Sequence, residues 1–516
     1  MKFSRRNKFL LLCLLILLNV VIRVPSAPHL TGDDSFVIHA MANSISEFGF
    51  AKWWLHPLSI FGLYPYSYAS ALSFFISGLV QCIGMDQVEH LIWIYCIFIA
   101  IFSVFAAYIL AGEIIDDDLF KFFVALGFSL VPAILAYTSW STHARGFFIV
   151  FLVLFIYLLL KCHNSILRYS PLVILLTLLL FSTHHYAYFV LPIFVSYLIV
   201  LIYFKLHERI KFIKISKKMS PFVPISGFIL MYSIPFFTRH FIEYSRYIDF
   251  LSYIRYTGFF IIPAVGGLTY LIFKYDKKPK EWFLLLTVIL FTVFICNDKY
   301  MKFIIPIFAI LLAGIGLKNA FEVSHEKKKK YAAVVVVILL LLSVSFSGFY
   351  QHWRTNVSGI YRQSWYMTEA TYTGALWIKD DIGIDKNLVY NDRLAARRMC
   401  AISEAPTFLW DADVCLLAYG FANKSDIQIS IQSPLTEEFY NDAPIINLKP
   451  TIRWYGSSGL MEGNIDTQLA KDTINRFNLS YMVADKRFGR TAFLGSIEWT
   501  KNNLYDNGRI EVWSLE

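Results

Sequence analysis

The sequence is poor in charge. Of 516 residues, 16% are Asp, Glu, Lys or Arg, whereas 57% are hydrophobic. A soluble globular protein carries about 25% charged residues. That deficit excludes an ordinary soluble chain and points to an integral membrane protein. Cysteine is also scarce, at seven residues. Cys13, Cys82, Cys96, Cys162 and Cys296 lie in apolar segments and are expected only to pack. Cys400 and Cys415 lie in more polar sequence and are candidates for a disulfide in an oxidising space. No metal-ligand spacing exists among them. The polar C-terminal part has no nucleophile motif and no phosphate loop. The net charge of +10 does not imply nucleic acid, because the lysines and arginines sit largely in short loops between apolar runs, which is the positive-inside pattern.

What is present is apolar sequence in long runs. They occur at about 8–24, 91–112, 119–137, 147–161, 170–184, 186–204, 220–238, 257–273, 281–296, 302–317 and 331–349. The stretch 170–204 exceeds one bilayer crossing of about 30 Å at 1.5 Å per residue, so it is read as two spans. Four basic clusters are expected to share the cytoplasm: "KFSRRNK" at the start, "KLHERIKFIKISKK" at 205–218, "KYDKKPK" at 274–280 and "KNAFEVSHEKKKK" at 318–330. They do so only if 66–84, interrupted by Gly78, Gln81 and Gly84, does not cross. The expected fold is an α-helical polytopic membrane domain with about 11 spans and a juxtamembrane helix, over residues 1–349. A mixed α/β soluble domain follows over 350–516. Its strands are expected at "LVYNDR", "YMVADKRF" and "RIEVWSL". The N-terminus is read as a retained first helix rather than a cleaved leader, since many further spans follow. On this topology the protein is a multi-pass cell-membrane protein, with a cytoplasmic N-terminus and an extracellular C-terminal domain. The three N-x-[ST] sequons, at Asn356, Asn423 and Asn478, all fall in that outer domain. The acidic "EIIDDD" at 113–118 falls on the cytoplasmic side, as a solvated helix cap.

The same parity brings several polar groups to the outer face. The first outer loop is long and aromatic and contains Asp33, Asp34, His39, Trp53, Trp54 and His56. The second, "YTSWSTHARGFF", carries His143 and Arg145. The turn "THHY" contributes His184 and His185. A fourth segment, "TRHFIEYSRYIDFLSYIRYTG", spaces Arg239 and Arg246 along one helical face, and "CNDKYMK" places Lys299, Tyr300 and Lys302 at the start of a span. Each feature alone is ordinary: snorkelling arginines and lysines end many spans, amphipathic helices lie on membranes, and histidine pairs at turns usually pack. Together, carboxylates and cations at one bilayer surface suit chemistry on a lipid-borne phosphate. The cations hold the phosphate, and a carboxylate takes a proton from an incoming hydroxyl.

On these residues the sequence resembles the GT-C glycosyltransferases, the multi-span enzymes that use polyprenyl-phosphate sugars. "DDSFVIHAMANSISEFGFAKWW" is similar to the acidic first-loop motif of oligosaccharyltransferase catalytic subunits, with Asp34 at the motif's aspartate. "HPLSIFGLYPYSYASALSFFISGL" is similar to the juxtamembrane segment of that family and of protein-O-mannosyltransferase-like enzymes. "VPAILAYTSWSTHARGFF", "NDKYMKFIIPIFAILLAGIG" and "YMTEATYTGALWIKDDIG" resemble later landmarks, so the likeness touches most of the chain. The resemblance implies Asp34 as the catalytic base, with Asp33 assisting. It implies a donor phosphate held by Arg145, Lys299, Lys302, Arg239 and Arg246, and acceptor or sugar contacts from His39, Trp53, His143 and Tyr300. The implied partners are a polyprenyl (dolichyl)-phosphate sugar donor, a glycan, protein or lipid acceptor, and membrane lipids, with no nucleic acid. Transfer at the anomeric carbon is expected to invert its configuration.

Two departures shape the expectation. "STHARG" has no carboxylate where oligosaccharyltransferases use one for metal, and "LWDAD" at 409–413 is only a faint echo of their Trp-Trp-Asp motif. A metal-free enzyme moving a single sugar from a lipid monophosphate therefore fits better than one using Mg or Mn. Transfer of a whole lipid-linked glycan to protein is the neighbouring alternative. A transporter is the alternative from another class, and it needs ionisable groups near the midplane of its spans.

Overall fold

The computed structural model describes residues 2–24, 28–52, 70–84, 88–210, 218–232, 244–295, 300–326, 330–352, 367–408, 413–422, 424–429, 446–448, 460, 464–488 and 492–516. Trp53, Arg239 and Lys299 lie outside the described residues. So do the side chains of His185, Arg246 and Cys415.

The N-terminal two thirds is a helical bundle. In chain order its helices are α1 (Arg5–Val21), α2 (Asp33–Phe48), α3 (Ser70–Ile83), α4 (Val88–Ile114), α5 (Asp118–Leu130), α6 (Pro132–Thr138), α7 (Ala144–Lys161), α8 (Ile166–Thr183), α9 (Val190–Ile210), α10 (Phe222–Tyr232), α11 (Tyr244–Thr257), α12 (Ile261–Phe273), α13 (Pro279–Ile295), α14 (Met301–Glu326) and α15 (Lys330–His352). Large aliphatic residues stay exposed on its outside, such as Leu14, Leu175, Val334 and Leu341. Contiguous exposed apolar surface of this kind belongs in lipid.

Among the described residues, seven helices are long and apolar enough to cross a membrane, or eight if a bent pair counts as one span. The expectation of eleven is not confirmed among the described residues, for three identifiable reasons. Helices α1 and α13 have 17 residues each, about 25 Å of rise, just short of a hydrocarbon core of about 30 Å. Helix α10 has 11 residues, and the run that supplied it continues into 233–243, outside the described residues. The run 119–137 is broken into α5 and α6 with a 55° bend. Pro132 disfavours the helical conformation at Val131, which is extended at ψ 130°. The division of 170–204 is borne out: α8 ends at Thr183 and a new apolar helical stretch starts at Tyr186. Helix α3, from the run expected not to cross, has 14 residues and packs beside α2.

Helices α12 and α14 make the most intimate contact in the bundle. A Cβ on Gly267 would lie 1.9 Å from the Leu312 carbonyl oxygen, and one on Gly316 2.2 Å from that of Pro263. Only glycine lets two backbones approach so closely, as at small-residue seams in membrane bundles.

Basic clusters and the acidic stretch meet at one end. Lys2 bonds Asp116 at 2.6 Å, Lys8 approaches Asp118 at 2.9 Å, and Lys161 reaches Glu113 at 2.6 Å. Lys280 joins Glu113 as well. The Lys277 Nζ donates to Ser220 Oγ at 2.8 Å, which brings the end of the 205–218 cluster beside the 274–280 cluster. Asp117 does cap α5, accepting from the Phe120 N–H at 2.9 Å. Glu113 and Asp118 are not solvated, however; their side chains are 6% and 0% exposed and clamped by lysines.

Beyond the bundle lies a five-stranded mixed sheet. Its strands are β1 (Asn387–Tyr390), β2 (Thr407–Phe408), β5 (Leu479–Asp485), β6 (Asn503–Asp506) and β7 (Ile510–Ser514), in the order β2-β1-β5-β7-β6. Strands β3 (Ile427–Ile429) and β4 (Ile446–Leu448) form a separate antiparallel pair. The pairs β1–β2 and β1–β5 are parallel, whereas β5–β7 and β6–β7 are antiparallel. The three sequences read as strands are β1, β5 and β7, neighbours at the centre. Helices α16 (Glu369–Trp377) and α17 (Arg393–Ser403) pack on this sheet. Helix α17 begins directly after β1. Asp392 caps it, accepting from the Leu394 and Ala395 N–H groups at 2.8 and 2.9 Å.

Candidate active site

The motif "TGDDS" is held by a second segment of chain. The Thr31 hydroxyl and N–H both donate to the Trp140 carbonyl, at 2.8 and 3.0 Å. The Thr142 N–H donates to Ser35 Oγ at 3.1 Å, and its hydroxyl to the Ser35 carbonyl at 3.0 Å. Trp140 Nε1 donates to the His29 carbonyl at 2.5 Å. These bonds dock residues 29–35 against 140–143. Gly32 makes the join sterically feasible. Its φ is +93°, and a Cβ there would meet His143 Nε2 at 2.5 Å.

Asp33 and Asp34 then open α2. The first turn of a helix carries unsatisfied N–H groups and the positive end of the dipole, which favours carboxylates there. The two side chains diverge, as adjacent helical residues must. Asp34 Oδ2 lies 3.4 Å from Arg145 Nη2 and 3.7 Å from His143 Nδ1. Asp34 is 43% exposed, so it remains accessible. Asp33 Oδ2 bonds Arg397 Nη1. Burial pushes the Asp33 carboxyl up, more strongly than Arg397 lowers it, and neighbouring Asp34 adds to the rise.

Arg145 stands in an aromatic enclosure. Its Nη1 donates to the Tyr137 hydroxyl at 3.3 Å. Its guanidinium carbon lies 5.3 Å from the Tyr137 ring centre, 5.4 Å from Tyr300 and 5.9 Å from Phe303. Such contacts attract a cation through the ring quadrupole and fix the guanidinium plane. Tyr186 backs Tyr300 at 5.0 Å, and His184 Nδ1 accepts from the Tyr186 N–H at 3.1 Å. The "THHY" turn therefore supports the enclosure. Lys302 lies 5.6 Å from the Phe303 ring centre, so it shares that ring with Arg145.

The structure thus brings Asp33, Asp34, His143, Arg145, Tyr300 and Lys302 to one end of the bundle. The lysine clamp occupies the other end. Helix α7 spans between them, from Arg145 to Lys161, about 24 Å along its axis. His39 is buried on α2, at 2% exposure. Among the described residues no group of three or more His, Cys, Asp or Glu could hold a metal ion.

Arg397 and Arg398 were missed from sequence. They belong to the polar C-terminal part, yet α17 lies along α2. Asn43 Nδ2 donates to the Ala401 carbonyl at 2.8 Å, and Ser44 Oγ to the Ala418 carbonyl at 3.0 Å. Arg398 is fully buried, and burial depresses its guanidinium to about 10. Two adjacent arginines after the small, apolar run that follows Arg393 in "RLAARRMC" were the available signal.

No protein-family model matches the chain, and no curated relative does. Solved structures do. The oligosaccharyltransferase AglB from Archaeoglobus fulgidus, bound to an inhibitory peptide and a dolichol-phosphate, aligns at 12% identity and TM-score 0.58, covering 93% of this chain and 69% of that one. The A. fulgidus oligosaccharyltransferase tethered to an acceptor peptide with an NVT sequon gives 11% and 0.60, covering 100% and 74%. The mycobacterial arabinofuranosyltransferase AftD gives 13% and 0.54, covering 100% of this chain and 42% of that one. At these identities the likeness concerns architecture alone: this chain shares the fold of these solved transferases.

Proposed function

We propose that this chain is a membrane glycosyltransferase that moves a sugar from a polyprenyl (dolichyl)-phosphate donor to a hydroxyl acceptor at the outer face. The observation that carries this reading is the opposition of Asp34 and Arg145 across 3.4 Å at one end of the bundle. The GT-C fold supports it. The outward orientation rests on the positive-inside rule, with Lys2, Lys8, Lys161 and Lys280 at the other end as its support.

In this mechanism the donor phosphate lies against Arg145 and Lys302, with Lys299, Arg239 and Arg246 as further candidate cations. Asp34 accepts the proton of the acceptor hydroxyl as its oxygen attacks the anomeric carbon. The carbon–oxygen bond to phosphate breaks, and the lipid phosphate leaves with the electron pair. Arg145 stabilises the charge that develops on it. Attack opposite the leaving group inverts the anomeric carbon. Asp34 then releases its proton to water. His143, Tyr300, His39 and Trp53 are assigned to acceptor and sugar.

Asp33 and Asp34 are matched by two guanidiniums before any substrate enters, Arg397 and Arg145. Lys302 adds a further cation beside Arg145 at the Phe303 ring, and a monophosphate asks for less positive charge than a pyrophosphate. Transfer of a whole glycan to protein remains the second reading, because the A. fulgidus neighbour is an oligosaccharyltransferase tethered to an acceptor peptide.

Membranes containing the protein, incubated with radiolabelled lipid-phosphate sugars, should label an acceptor fraction. Asp34→Ala should abolish labelling while the protein stays in the membrane. Labelling at the wild-type rate by Asp34→Ala would refute the assignment.

A further inference from the structure

Helix α17 belongs to the extramembrane part, yet it places a cation on the first carboxylate of the motif. Arg397 Nη1 bonds Asp33 Oδ2, and the Asn43 and Ser44 bonds fix α17 and its surroundings along α2. Asp33 Oδ1 is buried and has no hydrogen-bond partner among the described residues. The Asp33 side chain is 28% exposed, so the Arg397 bond is what fixes the direction in which its carboxylate points.

We propose that Arg397 is a positioning residue for transfer: it holds Asp33 ionised and turned toward α17, leaving Asp34 alone to face Arg145 as the base. The proposal rests on Asp34 being the base. Without Arg397, the charge of an ionised Asp33 is left unscreened beside Asp34, and Asp33 can turn and compete with it for Arg145. Either effect degrades the base without touching the acceptor or donor.

The charges facing this pair come from three sides. Arg397 and Arg398 face it from α17, His143 and Arg145 from the start of α7, and each aspartate faces the other on α2. Behind Arg398 stand Arg487, Asp392 and Asp485. Burial already favours the protonated form of Asp33. Removing a nearby positive charge moves both carboxylates the same way, toward holding their protons at higher pH. The transfer rate falls on the acid side as the base protonates, so its acid limb must move up in pH.

The test uses the full chain in detergent with a radiolabelled polyprenyl-phosphate sugar. An opposite charge within about 4–6 Å is worth about 1–3 pH units to a carboxylate it touches, and less to the next one. Arg397→Gln should therefore raise the acid limb of kcat/KM by about one unit. At a pH below the limb it should lower kcat/KM by about tenfold, the fold-change a one-unit shift gives where the base is mostly protonated, and leave the donor KM nearly unchanged. Arg397→Lys keeps the charge and should return the limb toward its wild-type position. Asp33→Asn/Arg397→Gln removes both partners, so it also avoids the unpaired charge that threatens folding. It should be no slower than Asp33→Asn alone. Asn43→Ala loosens the α2–α17 contact without changing charge, and should lower Tm while leaving the limb in place.

An unshifted limb in Arg397→Gln, an equal shift in Asn43→Ala, or an Arg397→Gln loss undiminished in the Asp33→Asn background would each overturn the proposal. An inactive Asp34→Ala beside a normal Arg397→Gln removes only this inference. An active Asp34→Ala removes the base assignment and this inference together.

Discussion

Replacing Arg145 with methionine separates two roles that the geometry gives this side chain. In the resting protein Arg145 sits 3.4 Å from Asp34. At an effective dielectric of about 20, unit charges at that distance attract by roughly 5 kcal/mol. Asp34 is 43% exposed, so solvent screening cuts the net worth to about 1 kcal/mol or less. The ground state should therefore tolerate the loss, with Tm falling by only about 1 °C in a chain of this length. The transition state should not. Removing one preorganised group from a developing anion costs about 100- to 1000-fold in kcat. Arg145→Lys keeps the charge but cannot reproduce the planar stack between Tyr137 and Tyr300 or the fork geometry of the guanidinium. It should fall between methionine and the wild type. The assay is the initial rate of label transfer from a lipid-phosphate sugar at saturating donor, with Tm measured in the same detergent. A methionine variant with wild-type kcat refutes the leaving-group role. One whose Tm collapses with its rate shows that Arg145 is there to hold the bundle.

Two further outcomes follow from the same geometry. Gly32→Ala puts a side chain at φ +93° with its Cβ 2.5 Å from His143 Nε2. It should cost about 1–3 kcal/mol in strain and displace His143 from Asp34, so transfer should drop even where thermal unfolding in detergent shows folded protein; normal transfer would contradict the docking of the two segments. Glu113→Gln leaves Lys161 and Lys280 without their shared anion at the opposite end. Because both lysines are more than a quarter exposed, the loss should be about 1 kcal/mol and confined to Tm, with donor KM and kcat unchanged. An altered KM would place substrate at the wrong end of the bundle.

Much of this protein could be read from its residues alone. Low charge, long apolar runs and clustered lysines establish a polytopic bundle, because hydrocarbon admits only internally hydrogen-bonded apolar helices. Parity brought Asp33, Asp34, His143, Arg145, Tyr300 and Lys302 to one end, since each helix carries its chain across and exposes its ends alternately. Short apolar stretches at 388–393, 481–488 and 509–515 marked the central strands. The sequence could not show that Pro132 splits a span, because an apolar run looks the same whether straight or bent. It could not show that Glu113 is clamped, since burial of a carboxylate depends on lysines 48 and 167 residues away. Least legible was Arg397. Nothing local distinguishes a surface arginine from one that reaches a carboxylate 364 residues earlier. Sequence periodicity determines which face of an element is apolar. Only packing decides which elements share a site, because the charge pairs that build it are made between parts of the chain that no local pattern connects.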